Sequence, residues 1–333
     1  MNNTIFRVSS SPHIRSKEST QRIMLDVIIA LMPALFAAIY FFKAKVLIIV
    51  LTAVAFAVIT EVVMQKIMNR PVTINDLSAV VTGLLLAYNV PATAPWWLVA
   101  IGSIFAIAIV KHCFGGLGYN FMNPALAARA LLLASWPVRM SSAAFVSPGV
   151  NAVTTATPLE LFRAGAACGD GIVTITSASL SSSTTLTSLW DLFLGNVGGA
   201  LGETSALALL IGGLYLIYRG VISYRIPLAY IGTVGALAFV LGGFHYYCFM
   251  FHILAGGLFL GAIFMATDYA SSPMTPKGQL IMGVGAGILT ILIRYFGAYP
   301  EGVSYSILLM NIATPLIDRF TVPKKFGEVK KSA

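Results

Sequence analysis

The chain has 333 residues, 58% hydrophobic and only 10% charged, with a mean hydropathy of +0.86. A soluble domain carries roughly 25% charge to keep its surface hydrated, so a water-soluble globule is excluded. The 21 Lys and Arg against 12 Asp and Glu, a net charge of +9, lie mostly at the ends of apolar runs, where they set orientation rather than bind nucleic acid.

Apolar runs of about 20 residues, each able to cross a hydrocarbon core roughly 30 Å thick, recur along the chain. Residues 1–22 are polar and basic, unlike a cleavable signal, and the first run, Met24 to Phe42, is long enough to span. Lipid offers the backbone no hydrogen-bond partners, so the runs are expected to be helices. Ten are expected, near 23–42, 46–67, 77–91, 96–113, 120–136, 205–219, 227–244, 248–267, 279–297 and 303–320. The fold class is thus all-α and polytopic. Its parts are a cytoplasmic segment 1–22, a five-helix half 23–136, an outer connection 137–204, a second half 205–320 and a basic tail 321–333.

With the N-terminus in the cytoplasm, fifteen Lys and Arg fall at cytoplasmic ends against five outside (Lys43, Lys45, Arg139, Arg163 and Arg294), and Arg129 lies within the fifth span. That bias places both termini in the cytoplasm. Each half has a polar break after its third segment (Asn89 to Pro95, Asp268 to Pro276) and an Asn followed by Pro in its fifth (Asn123-Pro124, Asn311 to Pro315). This is read as a weak internal repeat. An odd number of spans per half makes the halves inverted, with sites at their interface.

Two segments can carry chemistry. In Asn151 to Phe162, Thr157 is placed to cap a short helix, with Pro158 at its first position and Glu160 closing a T-x-x-E box. A phosphodiester on the same hydroxyl would meet the unpaired N–H groups of that helix start, and spacing alone does not choose between the two roles. In Lys111 to Ala125, Gly115, Gly116 and Gly118 precede Asn120 and the helix start Asn123-Pro124. No GK[ST] follows, so a phosphate loop is a poor match; a tight turn and a cofactor-lining loop stay open.

Taken together, the GGLGYNFMNPALAAR stretch, the TTATP segment in a long outer loop and the ten-span layout resemble one family of membrane proteins. It is the family formed by RnfD of the Rnf complex and NqrB of the sodium-pumping NADH:quinone reductase. The resemblance covers essentially the whole chain. It implies FMN joined through a phosphoester to the last threonine of an [ST]-x-A-T motif, here Thr154, Thr155, Ala156 and Thr157, which makes Thr157 the attachment residue. The quinone-reductase members typically read SGAT; Thr155 stands where that glycine would be, closer to the Rnf branch. A second, non-covalent flavin, riboflavin, is implied within the membrane. Other Rnf proteins are implied as partners: a second flavin-bearing subunit, membrane partners and peripheral iron–sulfur and NAD-binding subunits. A flavin transferase acting on the outer side is implied as well, in agreement with the placement of Thr157 by charge. The function implied is electron relay between ferredoxin and NAD, coupled to Na⁺ or H⁺ movement across the cytoplasmic membrane.

The remaining polar residues carry narrower expectations. Cys113, Cys168 and Cys248 share no CxxC spacing, which argues against a cluster or zinc site in this chain, and Cys113 and Cys248 are expected to pack. Arg129, Glu61, Asp26, Asp268 and Asp318 are costly facing lipid and should face the bundle or partners. Asp26 lies four residues from Arg22, a spacing that suits a pair. Arg129 is expected to balance an anionic flavin or a neighbouring acid. His112, His245 and His252 lack metal-like spacing. The competing class is a channel or transporter without flavin, since two inverted halves also suit permeation; membership of a quinone reductase is the third reading.

Overall fold

The computed structural model describes residues 19–141, 145, 157–163, 172–173, 184–185, 188–297 and 301–322. All ten expected runs are helical. The first half comprises α1 (Thr20–Phe42), α2 (Lys45–Ile67), α3 (Ser78–Tyr88), α4 (Trp96–His112) and α5 (Pro124–Ser135). Three short helices follow: α6 (Pro137–Met140), α7 (Pro158–Arg163) and α8 (Leu189–Leu194). The second half is α9 (Ala206–Tyr218), α10 (Arg225–Leu241), α11 (Tyr246–Leu254), α12 (Leu258–Met265), α13 (Pro276–Phe296) and α14 (Val303–Thr321). The connection between α5 and α9 also carries a two-residue antiparallel pair, Ile172–Val173 with Thr184–Thr185.

Several helix starts are written in the sequence. Asn123 accepts from the Ala125 and Leu126 amides at 3.0 and 3.3 Å, with Pro124 in the first turn. Thr275 does the same for Gly278 at 3.0 Å, ahead of Pro276. Both starts pair a polar cap with a proline that has no N–H to satisfy.

By length and apolarity alone, α1, α2 and α13 suffice to cross a bilayer, and α11 with α12 makes a fourth if taken as one span bent by 62°. The helices α3, α4, α5, α9 and α10 are shorter, and α14, at 19 residues, is long enough but less apolar. The break in the eighth run frees carbonyls at the end of α11, and Arg294 fills the need, donating to the carbonyls of His252 at 2.6 Å and Ala255 at 3.1 Å. Arg294 is therefore a buried cap on a helix end. From Phe105 to His112 in α4, and again from Gly261 to Met265 in α12, the winding loosens to a π-helix. Such turns are rare and frequent at functional sites.

The halves meet through α1 against α9 and α5 against α14. Asp26, on α1, pairs with Arg219 at 3.0 Å and accepts from the Tyr215 hydroxyl at 2.9 Å, so it braces α1 to α9. The polar breaks of the two halves touch: the Asn89 amide donates to the Met265 sulfur at 3.6 Å and that of Asn123 to the Met265 carbonyl at 3.3 Å. Oriented to suit its neighbours, the Asn311 amide accepts from the Asn123 N–H at 3.1 Å and donates to the Ser271 carbonyl at 3.2 Å. Of the two cysteines expected to pack, Cys248 is buried, and disulfide-bonded besides, whereas Cys113, just after α4, is exposed and free.

Candidate functional site: a threonine cleft, a buried hub and an inner cavity

Thr157 is 5% exposed and stands immediately before α7. Its hydroxyl oxygen accepts from the Glu160 amide at 3.3 Å, which realises the expected cap. Thr154, Thr155 and Ala156 lie outside the described residues. What fixes Thr157 is the far side of α7: Leu159 packs with Leu192 and Phe251, and the Phe162 ring meets Phe251, His252 and Tyr295 at centroid distances of 5.8, 4.7 and 5.5 Å. The Thr157 side chain lines a cleft of about 20 Å³ with Gly198, Gly199, Glu203, Gly256 and Glu301. That volume suits roughly one water.

Behind the cleft lies a polar hub. Arg129, 6% exposed, donates to Glu203 at 2.8 Å, to Asn89 and Ser304 at 2.9 Å each, and to Glu301. Its counterparts are acids of the protein, so the neighbouring-acid role is the one the geometry supplies. Glu203 reaches the hub because the end of the connection before α9 pairs with the break after α3: the Leu201 amide donates to the Val90 carbonyl at 3.2 Å and Gly202 to that of Tyr88 at 2.9 Å. A Cβ on Gly202 would lie 2.3 Å from that of Tyr88, so only glycine allows this approach. Burial pushes the Glu203 carboxyl up to about 7 against the opposing pull of Arg129, and Glu301 adds to the rise.

On the far side of the seam formed by Asn89, Met265 and Asn123 lies a cavity of about 100 Å³. One wall is apolar, with Val27, Ile263 and Phe264; the polar groups on it include Ser78, Asn120, Asn123, Asp268 and Lys111. The Asn120 amide donates to Asp268 at 3.3 Å, as does the Ser271 hydroxyl at 3.0 Å. Asn120 and Asn123 thus come together on one cavity. Gly115, Gly116 and Gly118 are not on its wall: all three have positive φ (124°, 101° and 87°) and form the turn after α4, with Arg70 donating to the Gly115 carbonyl at 2.5 Å.

Sequence reasoning missed the group beside this cavity. Lys111 and Glu61 are 3% and 1% exposed; the ammonium donates to both carboxylate oxygens at 2.6 and 2.7 Å and to the Ser78 hydroxyl at 2.7 Å. Gln65 donates to Glu61 at 3.1 Å, and His112 lies 3.6 Å from it. At the end of an apolar run, Lys111 reads as an orienting charge; the structure gives it a buried partner in Glu61. A Glu well inside the second run was the available signal that a cation must lie opposite. Asp318, at the end of α14, accepts from the Met274 amide at 3.2 Å, and His245 is exposed. Among the described residues no group of three or more His, Cys, Asp or Glu is placed to hold a metal.

A membrane-embedded helical protein in two packed sets, with a threonine cleft at one end and a mixed polar and apolar cavity at the other, is the class defined by this architecture. The chain belongs to the NQR2, RnfD, RnfE family, whose pattern matches residues 7–327. It is 54% identical over 337 residues to the D component of the Na⁺-translocating ferredoxin:NAD⁺ oxidoreductase complex of Acetobacterium woodii, covering 100% of this chain and 99% of the relative. It is 49% identical to the D component of the proton-translocating ferredoxin:NAD⁺ oxidoreductase complex of Clostridium ljungdahlii, over 97% of this chain and 96% of that one. The D component of the ion-translocating oxidoreductase complex of Escherichia coli K12 is 34% identical, over 98% and 99%.

Proposed function

We propose that the chain is the flavin-bearing membrane subunit of an Rnf-type complex, carrying FMN as a phosphoester on Thr157 and a second, non-covalent flavin in the inner cavity. As in its relatives, it is one member of a multi-subunit ion-translocating oxidoreductase, which passes electrons between ferredoxin and NAD. It works in the cytoplasmic membrane with both termini inside, beside a second flavin-bearing subunit and the peripheral iron–sulfur and NAD-binding subunits. When bound, the flavins accept and release electrons one or two at a time; the protein holds and tunes them.

The observation that carries this reading is the situation of the Thr157 hydroxyl. It faces a cleft, and among the described residues its hydrogen bonding is one long contact accepted from Glu160. Forming an ester replaces the hydroxyl hydrogen and keeps the oxygen as an acceptor, so attachment and capping are compatible. The cleft, with room for about one water, holds neither the phosphate nor the ring of FMN, so a group on the Thr157 oxygen would project out of it. The ring would extend past Gly198 and Gly199, and an added Cβ on Gly199 meets nothing within 4 Å.

For the second flavin, the inner cavity offers an apolar wall for a flat ring and amide, hydroxyl and carboxylate groups for a polar edge and ribityl hydroxyls. Asn120 and Asn123 are the residues placed to bind it, with Ser78 and Asp268 on the same wall. Arg129 takes a different part: with Glu203 and Glu301 it builds the floor between cleft and seam.

The test is mass spectrometry of the intact protein and its peptides, made in its native membrane with its flavin transferase, beside Thr157→Ala. The expected result is a Thr157 peptide heavier by one FMN phosphoryl adduct, absent from the variant. An unmodified peptide, with the transferase active on another substrate, overturns the covalent reading and returns the flavin-free transporter to first place.

A further inference from the structure

The pair Lys111–Glu61 presents an unexplained cost. Removing two ions from water costs several kcal/mol each, and a buried pair is often no better for stability than apolar residues of the same size. The pair nevertheless sits on the π-wound end of α4, its carboxylate in α2, both almost fully shielded. His112, next in the chain, is equally buried, and neither ring nitrogen has a hydrogen-bond partner among the described residues. Lys111 and Ser78, unlike Glu61, also form part of the inner cavity wall. Lys111 therefore stands between a carboxylate behind it and the cavity in front.

We infer that Lys111 sets the reduction potential of the redox ring that fills this cavity, by dividing its ammonium between Glu61 and the occupant. This rests on reading the cavity as a flavin site. Among the residues that line the cavity the charged ones are Lys111 and Asp268, with Glu61 behind Lys111; the further pair Asp26–Arg219 on α1 and α9 is already closed on itself at 3.0 Å. Reduction by one electron, delivered by the donor side of the oxidoreductase complex, adds one negative charge to the occupant and makes or breaks no bond. In a low-dielectric setting that charge is costly without a counter-ion. The cation on the cavity wall is the ammonium of Lys111, a compact charge on a flexible four-carbon stem. Glu61 and the reduced occupant then compete for the same ammonium. It follows that the charge state of the cavity is felt at Glu61, and that Glu61 restrains Lys111 from serving the occupant fully.

A packing role for the pair and this role differ in the sign of two shifts. The measurement is made on the purified complex with its flavins bound: non-covalent flavin is released by acid and quantified, and its midpoint potential is read by spectroelectrochemical titration. Glu61→Gln frees Lys111 and is expected to raise the potential, with at least a tenfold gain in the preference for the reduced form, 59 mV for a one-electron couple. The double variant Glu61→Gln with Lys111→Met, which leaves no carboxylate unpaired, is expected to fall back from the single variant by at least as much. Shifts in the same direction, or none, with non-covalent flavin retained, overturn the role of Lys111. If the double variant fails to retain flavin, the single variant decides: an unchanged potential in Glu61→Gln overturns the inference. A wild-type complex that releases no non-covalent flavin instead overturns the reading of the cavity, and the inference with it.

Discussion

Arg129 illustrates what one buried charge commits a membrane protein to. Its guanidinium serves acceptors just after α3, on α14 and on the two loops that carry Glu203 and Glu301, and so pins four parts of the chain. Arg129→Met strands two carboxylates, and breaking such a pair costs about 3–5 kcal/mol. The expected outcome is a large drop in melting temperature in detergent. The triple variant that also carries Glu203→Gln and Glu301→Gln removes the stranded charges and is expected to recover most of it. Arg129→Lys should fall between, since one ammonium lacks the planar fork that reaches four oxygens. Equal melting of single and triple variants would refute the hub. The charge of Arg129 was legible in the sequence, being a lone Arg inside an apolar run. Its partners were not, because Glu203 and Glu301 lie 74 and 172 residues away and no spacing rule connects them.

At the scale of elements, the ten runs were legible because apolarity sustained over a membrane's thickness has one solution, the helix. Asn123-Pro124 and Thr157-Pro158 were legible as helix starts for local reasons. The π-winding of α4 and α12 and the bend before α12 were not, since no local sequence spacing specifies them. The docking of α7 belongs to the same class. Six residues cannot hold a helix unaided, so α7 stays in place through Leu159 and Phe162. Phe162→Ala removes the ring that meets Phe251, His252 and Tyr295. Its loss is expected to undock α7 locally rather than unfold the bundle. Peptide mass spectrometry should show the Thr157 adduct reduced several-fold with melting nearly unchanged, and Phe162→Leu should restore most of it. A full adduct in Phe162→Ala would show that Thr157 is presented without this anchor.

For the whole molecule, the decisive contact is where α1 crosses α9, because it joins the halves and forms part of the inner cavity through Met24, Val27 and Leu216. Small residues let membrane helices approach this closely. A Cβ on Gly212 would lie 1.9 Å from the Ala30 carbonyl oxygen, a backbone atom that moves only if α1 moves. Asp26 and Arg219 brace the same two helices further along, and with its arginine partly exposed that pair is too weakly shielded to offset the clash. Overpacking of this kind costs about 1–3 kcal/mol, so Gly212→Ala is expected to lower the melting temperature by several degrees. If the two sites belong to separate ends of one molecule, the same variant should loosen the non-covalent flavin, whose cavity the crossing walls, and leave the Thr157 adduct intact, since α7 docks on α11 and α13 instead. Acid-released flavin and adduct mass measured on one preparation separate these effects. Loss of both together would mean that the cleft and the cavity depend on the crossing as a single unit.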